Sequence, residues 1–521
     1  MGRPVERSRE HSDPLSGYRP GPGYDELIDP SGTPRPAAQG LWRHLSSLSP
    51  PALAARQQAA DEEIRRIGVT FQAGETRDDQ DRPWPFDVIP RIIDASEWAR
   101  IRAGLIQRLR ALNSFIDDVY HDQRSIRDGV VPGDVVVSSP NFRPECIGVH
   151  PPGGIWAHIC GSDLVRGEDG TFYVLEDNLR VPSGVSYLLE NRMVAKRVFP
   201  ELFRTYSIEP VDPYTEELGR ALRSLAPADR SPTVVILTPG VHNAAYCEHA
   251  FLAQQLGVEL VTGPDLVVSD DTVYMRTVSG LERVDVIYRR VDDAFLDPDV
   301  FRRESLIGVP GLMQAWRAGN VALVSAPGAG IADDKAIYAF VPDIIRYFLG
   351  EEPMLANVPT WRCGDDDDLR YVLDHLEALV IKPATESGGY GVVIGPRAGE
   401  AALAHVAQRI TQFAPNWVAQ PVLSLSTMPT LCEGQVEARH IDLRPFTLLG
   451  PDGAYVAPGG LTRVARQRGS LIVNSSQGGG SKDTWVVDAT LAPPPPRTLE
   501  RDAALADGTG PLPSPAPPPA Q

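Results

Sequence analysis

The segment from Val380 to Val393 constrains the fold more than any other part of this sequence. An apolar run ends at Lys382-Pro383, and the glycine-rich stretch Ser387-Gly388-Gly389-Tyr390-Gly391 follows closely. The pattern predicts a β-strand that carries one ammonium group and leads into a flexible loop. A compact positive charge beside such a loop is an arrangement that binds phosphate groups.

Lysine is rare in this chain, so the position of each lysine is informative. Among 521 residues with 50 Lys plus Arg, the lysines are Lys196, Lys335, Lys382 and Lys482. The lysine ammonium is a compact point charge, and the planar guanidinium of arginine does not replace it at every site. The last three lie in segments that suggest nucleotide chemistry. Lys196 lies in a charged stretch, and we assign it no function.

Composition limits the classes of function. A chain of 521 residues is too long for one hydrophobic core and predicts two or three domains. The net charge of −18, with no strongly basic stretch, argues against a nucleic-acid partner. No apolar run approaches the ~20 residues that span a bilayer, and no secretory signal is visible at the N-terminus, so we expect no membrane association.

The cysteines indicate a reducing compartment. The five cysteines are odd in number, widely spaced and contain no Cys-x-x-Cys pair. This pattern argues against a disulfide framework and against a zinc site, and it favours reduced thiols in a cytosol. We therefore expect a cytoplasmic protein.

The two ends differ from the middle of the chain. Residues 1–40 are rich in Pro, Gly, Arg and Ser, and residues 491–521 are rich in Pro with no apolar periodicity. Both segments are expected to be disordered tails. Between them, residues 96–120 have the apolar spacing of a helix, and strand-like runs follow at 135–137 and 172–175.

A small α/β unit is predicted over residues 215–330. Short apolar strands at 233–238, 259–262 and 284–288 flank a helix at 243–256, which suggests a parallel sheet. The first strand ends at Pro239-Gly240. It lacks the G-x-G-x-x-G sequence, so we predict no dinucleotide site there.

Three oxygen-bearing side chains come together if residues 163–178 form a hairpin. Glu168-Asp169-Gly170 is a turn sequence, so the strands on either side should be antiparallel. Glu176 and Asn178 are two residues apart and share a face, and Asp163 can come level with them. Hard oxygen donors in this arrangement suit Mg²⁺ shared with substrate phosphates. The alternative is a turn with solvated acidic residues.

Three later segments are less specific. The apolar run 417–423, with Gln420 and Val422, could bind an adenine edge through its backbone or form a core strand. Alternation places His440, Asp442 and Arg444 on one face, which could simply be solvated. Arg463 precedes a long glycine-rich loop, 469–485, that would be costly to order without a ligand or partner.

Two familiar phosphate motifs do not fit. A P-loop requires Gly-Lys-Ser/Thr, but Lys482 lies between Ser481 and Asp483. A protein kinase has its glycine loop before the lysine strand, whereas here the loop follows Lys382.

Taken together, these residues resemble the ATP-grasp proteins in rotated order. The Asp-x12-Glu-x-Asn spacing of Asp163, Glu176 and Asn178 matches D-alanine–D-alanine ligases, but here it precedes the two lysine segments. That order is similar to the circularly permuted ATP-grasp type 2 group. The segments 175–184, 284–293 and 473–480 also resemble signatures of that group.

The resemblance implies a mixed α/β (α+β) fold with a circularly permuted ATP-grasp core. Residues 41–214 would carry the metal motif, 215–330 would form an inserted pre-ATP-grasp-like domain, and 331–490 would bind the nucleotide. In the related ligases an Arg stands two residues before the metal Asp, but this chain has Gly161 there. Another cation must take that place, and Arg180 and Arg444 are the candidates.

The implied activity is ATP- and Mg²⁺-dependent ligation of a carboxylate to an amine through an acyl phosphate, on a peptide-like or amino-acid substrate. Cations and Mg²⁺ stabilise the transferring charge, and no nucleophilic side chain is required. Asp163, Glu176 and Asn178 would hold the metal. The nucleotide would contact Lys335, Lys382, Ser387, Gly388, Gly389, Tyr390, Gly391, Gln420 and Val422. Arg290, Arg463, Asn474 and Lys482 would face the acid or the phosphoryl oxygens.

Two other functions stay open at this stage. The chain could bind ATP without turnover and act as a scaffold for a partner, or it could be a phosphotransferase that stops at phosphorylation. Proteins of this family are often linked with an α-helical alpha-E protein, so the resemblance implies such a partner.

Overall fold

The structure is a computed structural model that describes residues 13–68, 70–71, 82–226, 231–385, 391–473 and 479–488. Helices and strands alternate and pack as layers around several sheets. The mixed α/β class predicted from the sequence is confirmed.

The α-helices are α1 (Gln39–Ser47), α2 (Pro50–Ile67), α3 (Ala95–Tyr120), α4 (Arg124–Arg127), α5 (Gly133–Ser138), α6 (Val185–Val198), α7 (Pro200–Thr205), α8 (Pro213–Arg223), α9 (Tyr246–Leu256), α10 (Asp293–Leu296), α11 (Leu312–Arg317), α12 (Lys335–Tyr338), α13 (Val341–Leu349), α14 (Asp366–Asp374) and α15 (Glu400–Gln412).

The strands are β1 (Thr70–Phe71), β2 (Arg82–Pro83), β3 (Phe86–Asp94), β4 (Ile159–Arg166), β5 (Phe172–Asn178), β6 (Val234–Leu237), β7 (Glu259–Val261), β8 (Leu266–Ser269), β9 (Thr272–Thr277), β10 (Gly280–Arg283), β11 (Val286–Arg289), β12 (Ala322–Val324), β13 (Ala356–Asn357), β14 (Trp361–Arg362), β15 (Leu379–Pro383), β16 (Val393–Ile394), β17 (Trp417–Pro421), β18 (Thr427–Cys432), β19 (Gln435–Arg444), β20 (Phe446–Gly450), β21 (Gly453–Val456), β22 (Leu461–Val464) and β23 (Gly480–Val487).

The largest sheet joins strands from distant parts of the chain. Its main path runs β13-β5-β4-β19-β22-β23-β3, and β18, β20 and β21 pair at its sides. Ile93 packs with Trp98 of α3, whereas its neighbour Ile92 belongs to the cluster that includes residues of α2 and α6. Because successive strand residues point to opposite faces, helices cover both faces of this sheet.

The predicted small α/β unit is present as a separate parallel sheet. Its strand order is β12-β11-β6-β7, and every pair is parallel. Helix α9 connects β6 to β7, as the apolar pattern predicted, and an antiparallel sheet of β8, β9 and β10 is added to the unit. The domain boundaries 215 and 330 stay predictions.

A second small sheet carries Lys382. Its order is β14-β17-β15-β16, and it is antiparallel throughout. Helices α14 and α15 pack against it and bury Val372, Val406 and Ile410. We refer to this unit, residues 361–421, as the lid sheet.

The prediction that residues 1–40 are disordered is wrong for residues 13–40. Leu15, Tyr18 and Leu27 are buried in the main core, and Glu26 is buried between Arg91 and Arg166. Burying these apolar side chains offsets the entropy cost of ordering a Pro- and Gly-rich segment. Residues 1–12 and the predicted C-terminal tail, 491–521, lie outside the described residues.

A second local prediction also fails. The apolar run at 135–137 was expected to be a strand, but it lies in helix α5. Three consecutive β-branched residues favour a strand, yet Val136 is buried within the helix, so tertiary packing overrides the propensity.

No helix in the described ranges combines the length and the apolar character needed to cross a membrane. The five cysteines all lie in the described residues and form no disulfide bond, and Cys146, Cys160 and Cys363 are buried.

Candidate active site

The hairpin of β4 and β5 places the predicted metal-binding side chains on one face. Asp163 pairs directly opposite Glu176, and Asn178 pairs opposite Gly161 in an antiparallel register. The intervening Asp177 points the other way and meets Arg108 of α3, at 2.6 Å between Oδ2 and Nε. The Asn178 side-chain nitrogen donates to the Gly161 carbonyl at 3.1 Å, which fixes the orientation of the amide.

Two arginines neutralise Asp163. Its Oδ2 accepts from Nη2 of Arg444 at 2.8 Å and from Nη2 of Arg463 at 2.7 Å. Burial alone would raise the pKa of Asp163, but the two guanidinium groups outweigh burial and hold the pKa below its ordinary value. Asp163 is therefore ionised in this setting, as a metal-binding carboxylate must be.

Lys335 is held beside Glu176. Its Nζ lies 3.2 Å from Oε2 of Glu176, and its backbone nitrogen donates to the Ala384 carbonyl at 3.0 Å. Asp334 caps the short helix α12 by accepting from the Ala336 nitrogen at 2.9 Å. These contacts fix Lys335 between the hairpin and the end of strand β15, which also carries Lys382.

Lys382 completes the cationic side. Its Nζ donates to Oε1 of Gln420 at 2.6 Å across the lid sheet. Burial lowers the pKa of Lys382 to about 8, and Lys335 acts in the same direction, whereas Glu176 and Asp163 oppose the shift. Because burial makes the charged form of the Lys382 ammonium costly, an anionic ligand would strongly stabilise that form.

These groups line one cavity of about 490 Å³ between the large sheet and the lid sheet. One end is polar and contains Asp163, Glu176, Lys335, Lys382 and Asp442. The other end is mainly apolar and is lined by Val380, Ile394, Pro421, Leu423, Leu471, Ile472 and Val473. Residues near 163–176 and near 335–382 thus form one site, although the small α/β unit separates them in sequence.

The cation missing at position 161 is replaced from a different strand. A Cβ atom placed on Gly161 would lie 3.5 Å from Cδ of Arg444. The side chain of Arg444 therefore passes beside position 161, and its guanidinium contacts Asp163. Of the two candidates named from the sequence, the structure brings Arg444 to this carboxylate.

Arg180 lies elsewhere. Its Nη1 is 2.6 Å from Oδ2 of Asp292, at the end of the small α/β sheet, and its Nε is 3.8 Å from Oδ2 of Asp333. Burial would lower the pKa of Arg180, but Asp333 and Asp292 raise it above its ordinary value. Arg180 therefore joins the small unit to the segment before Lys335 rather than contacting Asp163.

Arg290 is engaged by protein groups. Its guanidinium donates to the Pro182 carbonyl at 2.7 Å, to Ser183 Oγ at 2.6 Å and to Glu248 Oε1 at 3.0 Å. Glu248 in turn accepts from the Gly184 nitrogen at the start of α6, at 2.6 Å. The predicted role of facing the acid is therefore not what these contacts provide; they attach the small α/β unit to residues 182–184.

The prediction for Lys482 is wrong in this structure. Its side chain is 0 % exposed, and its ammonium contacts Asp87, the Ile89 carbonyl at 3.1 Å and the Pro429 carbonyl at 2.9 Å. The long glycine-rich run that suggested a ligand loop ends in strand β23, where Lys482 pairs with Thr462 and not with Arg463. Side chains alternate along a strand, so Lys482 and Arg463 point to different faces.

Several predicted nucleotide contacts cannot be placed. Ser387, Gly388, Gly389, Tyr390 and Asn474 lie outside the described residues. Gly391 is described and has a φ of 71°, a left-handed backbone that suits glycine. Val422 lies between Pro421 and Leu423, which both line the cavity.

Sequence reasoning undervalued Asp442. The alternation of His440, Asp442 and Arg444 is also compatible with a solvated face, which is the simpler interpretation of the sequence. In the structure Asp442 is 2 % exposed, lines the cavity and pairs with Arg463, Nε to Oδ1 at 2.9 Å. The signal is an acid and a base that alternate with the apolar residues Ile441 and Leu443 at the end of a strand.

The residues present fit a magnesium nucleotide. The apolar end can accommodate a flat base, and the two lysines can contact phosphate oxygens. Two carboxylates that are each paired with a cation, and an oriented amide, supply hard oxygen donors of the kind that Mg²⁺ prefers.

The chain has close relatives along most of its length. A Synechocystis sp. protein described as uncharacterized is 54 % identical over 477 residues, which is 91 % of this chain and 99 % of that protein. A Frankia casuarinae protein named "putative glutamate–cysteine ligase 2-2" is 44 % identical over 475 residues, and this chain spans about half, 54 %, of its length.

The fold itself matches a solved structure. The apo structure of a glutathione synthetase-like effector, GSS30, from Globodera pallida superposes with a TM-score of 0.57 and 11 % identity, covering 85 % of this chain and 98 % of that one. The family model named circularly permuted ATP-grasp type 2 matches residues 90–465. The hairpin of β4 and β5, Lys335, Lys382 and all of the cavity lining except Leu471, Ile472 and Val473 lie within that range. The chain belongs to the circularly permuted ATP-grasp type 2 family.

Proposed function

We propose that this protein is an ATP- and Mg²⁺-dependent ligase that joins a carboxylate to an amine through an acyl phosphate. The observation that carries the proposal is the single cavity that gathers Asp163 and Glu176 from the hairpin with Lys335 and Lys382 from later in the chain. An amide bond forms at the expense of ATP, and ATP is a substrate of the reaction.

The nucleotide would enter with its base toward the apolar end. Pro421 and Leu423 line that end, so the backbone of residues 420–422 could offer polar groups to the base edge. Lys335 and Lys382 would contact phosphate oxygens, because an ammonium is a strong point-charge donor to phosphate. The lid sheet would then cover the nucleotide and exclude water from the transferring phosphoryl group.

Asp163, Glu176 and Asn178 would hold magnesium, which would screen the charge of the phosphates during transfer. Arg444 and Arg463 keep Asp163 ionised in the absence of any ligand. Both arginines contact Asp163 at the polar end, so they would also attract an anionic substrate carboxylate there.

The reaction balances without a protein nucleophile. A carboxylate oxygen of the acid substrate attacks the γ-phosphorus, and the bond to the leaving ADP oxygen breaks. The amine nitrogen then attacks the acyl carbon, inorganic phosphate leaves and the amine releases a proton. The chain supplies positioning and positive charge for both steps.

The substrate class is proposed from the relatives. One relative is named as a putative glutamate–cysteine ligase, and one of the similar solved structures is that of a glutathione synthetase-like effector. We therefore propose an amino-acid or peptide-like acid and an amine of similar kind. An alpha-E type helical protein remains the proposed macromolecular partner.

ADP release with amino acids and short peptides tests the proposal. Wild-type protein should release ADP with a matching acid–amine pair, and Glu176→Gln should fold normally but lose about 10²–10³-fold in Mg²⁺-dependent turnover, because a charge that the metal compensates is removed. Hydroxylamine should trap the acyl phosphate as a hydroxamate. ATP binding without ADP release would favour a scaffold, and a stable phosphoester product would favour a phosphotransferase.

A further inference from the structure

Two short connectors join the lid sheet to the large sheet. In the first, residues 358–360 link β13, which pairs with β5, to β14, which pairs with β17. In the second, residues 422–426 link β17 to β18 of the large sheet. Thr360 ends the first connector, and Gln420 lies on β17 two residues before the second connector.

A chain of hydrogen bonds runs through this point to Lys382. The Thr360 hydroxyl donates to the Val358 carbonyl at 2.9 Å. The Gln420 Nε2 donates to Thr360 Oγ1 at 2.9 Å, and the Lys382 ammonium donates to Gln420 Oε1 at 2.6 Å.

The direction of this chain follows from proton counting. A hydroxyl has one proton, and the Thr360 proton is given to a backbone carbonyl. The hydroxyl must therefore accept from Gln420, which requires the NH₂ group of the amide on that side and its oxygen on the side of Lys382. The amide is locked with its acceptor toward the ammonium, and Gln420 is only 2 % exposed.

We infer that Gln420 is a positioning residue, which together with Thr360 holds the Lys382 ammonium at the polar end of the cavity and links its position to the lid connectors. The inference rests on the proposed function, in which Lys382 contacts the nucleotide phosphates. It gives the Gln420 side chain a role separate from the backbone contact to the base.

The physical reason is the flexibility of lysine. Its four-carbon stem has many rotamers, and fixing one on ligand binding would reduce affinity. An acceptor already in place orients the ammonium before the nucleotide arrives, which lowers that cost. It also favours the charged form in surroundings where burial and Lys335 disfavour it and Glu176 and Asp163 favour it.

Three substitutions in the full-length chain test the inference, with the affinity for β,γ-imido-ATP and Mg²⁺ measured by calorimetry across a pH series. Gln420→Met keeps the approximate volume and removes both polar atoms, so the affinity should fall about tenfold at neutral pH. The further decline of the affinity with rising pH should begin at a lower pH than in the wild type. Thr360→Val should give a smaller loss in the same direction. Thr360→Ser keeps the hydroxyl and should restore wild-type behaviour.

A second variant covers the case in which Gln420→Met does not fold. Gln420→Glu keeps an acceptor and adds charge, so the loss of affinity should begin at higher pH than in the wild type. The matched control is Gln412→Met, because Gln412 ends α15 on the exposed surface of the same unit. It should leave both the affinity and its pH dependence unchanged.

The outcomes separate this inference from the proposed function. If Lys382→Ala weakens binding while folded Gln420→Met and Gln420→Glu both match the wild type in affinity and pH dependence, Gln420 has no positioning role. If Lys382→Ala itself binds the nucleotide as tightly as the wild type, the nucleotide site is wrong and the positioning inference fails with it.

Discussion

Lys382 and Lys482 follow similar sequence cues but lie in two very different regions. Lys382 is next to the lid connectors, donates to Gln420 and lines a cavity of about 490 Å³. Lys482 lies on β23 and its side chain is 0 % exposed; its ammonium contacts Asp87 and two backbone carbonyls of β3 and β18. The ammonium of Lys382 faces a cavity, whereas the ammonium of Lys482 is enclosed by acceptor groups of the core.

The difference shows that the function of a lysine in this chain is indicated by the groups that surround its ammonium, and not by its burial alone. An ammonium has three protons, and around Lys482 three protein acceptors take them. Around Lys382 the carboxylates and Lys335 lie across an open space that a phosphate can enter. Four predictions test this contrast, beginning with the largest effect.

The largest effect is expected on stability at Lys482. Lys482→Ala leaves the carboxylate of Asp87 buried without its cation, which should lower the free energy of unfolding by about 3–5 kcal/mol. Chemical denaturation monitored by circular dichroism measures the change. Nucleotide affinity of the protein that remains folded should not change.

The double variant Lys482→Ala/Asp87→Ala supplies the control, because it removes both charges. It should recover part of the stability lost in the single variant. A Lys482→Ala protein as stable as the wild type would contradict the structural role of Lys482. A variant that stays folded but loses nucleotide binding would indicate that Lys482 belongs to the active site.

The second effect is expected on binding at Lys382. Lys382→Ala removes a charge-assisted contact to phosphate, so the affinity for Mg²⁺-ATP should fall by about 1.5–3 kcal/mol, or roughly 10–150-fold. Calorimetry measures the affinity. The unfolding midpoint should stay within error of the wild type, because burial already disfavours this ammonium. Unchanged affinity in a folded variant would contradict the phosphate role.

The local part of the site followed from the sequence alone. A turn at 168–170 fixes the hairpin, and a period of two then brings Glu176 and Asn178 to one face with Asp163. The strand that carries Lys382 was likewise predicted from residues close in sequence. These features depend on residues close in sequence, so the structure contains them as predicted.

The parts that failed depend on contacts distant in sequence. Lys482 is neutralised by Asp87, 395 residues away, because β23 pairs in parallel with β3, and nothing near Lys482 indicates that register. Residues 13–40 look disordered by composition, yet Leu27 and Glu26 are buried by partners far along the chain. Composition measures average preference and does not reveal a specific buried ion pair.

The third prediction concerns pH. The pKa of Lys382 is lowered to about 8 by burial and by Lys335, against the opposing effects of Glu176 and Asp163. Below that pH the ammonium is present and binds phosphate; above it, binding must be accompanied by proton uptake, so affinity should fall by up to about tenfold per pH unit. Calorimetry in two buffers of different ionisation enthalpy measures both the affinity and the proton uptake.

Lys382→Arg is the matched control for the pH effect, because a guanidinium stays charged over this range. The Lys382→Arg variant should bind the nucleotide more weakly, because the planar guanidinium does not reproduce the geometry of the ammonium. Its affinity should not decline above pH 8, because that decline is assigned to the titration of Lys382. The same decline in both proteins would assign the titration to another group.

The smallest effect is expected at Lys196, the lysine to which the sequence assigned no function. Its Nζ lies 2.9 Å from Oδ2 of Asp212, but the two side chains are 44 % and 67 % exposed. Exposed pairs of this kind contribute about 0–1 kcal/mol, so Lys196→Ala should change the free energy of unfolding by less than about 1 kcal/mol and leave nucleotide affinity unchanged. Denaturation and calorimetry under the conditions used for Lys382 and Lys482 give the comparison directly. A loss of stability comparable to that of Lys482→Ala would mean that scarcity of lysine, rather than the partners around each one, determines its importance in this chain.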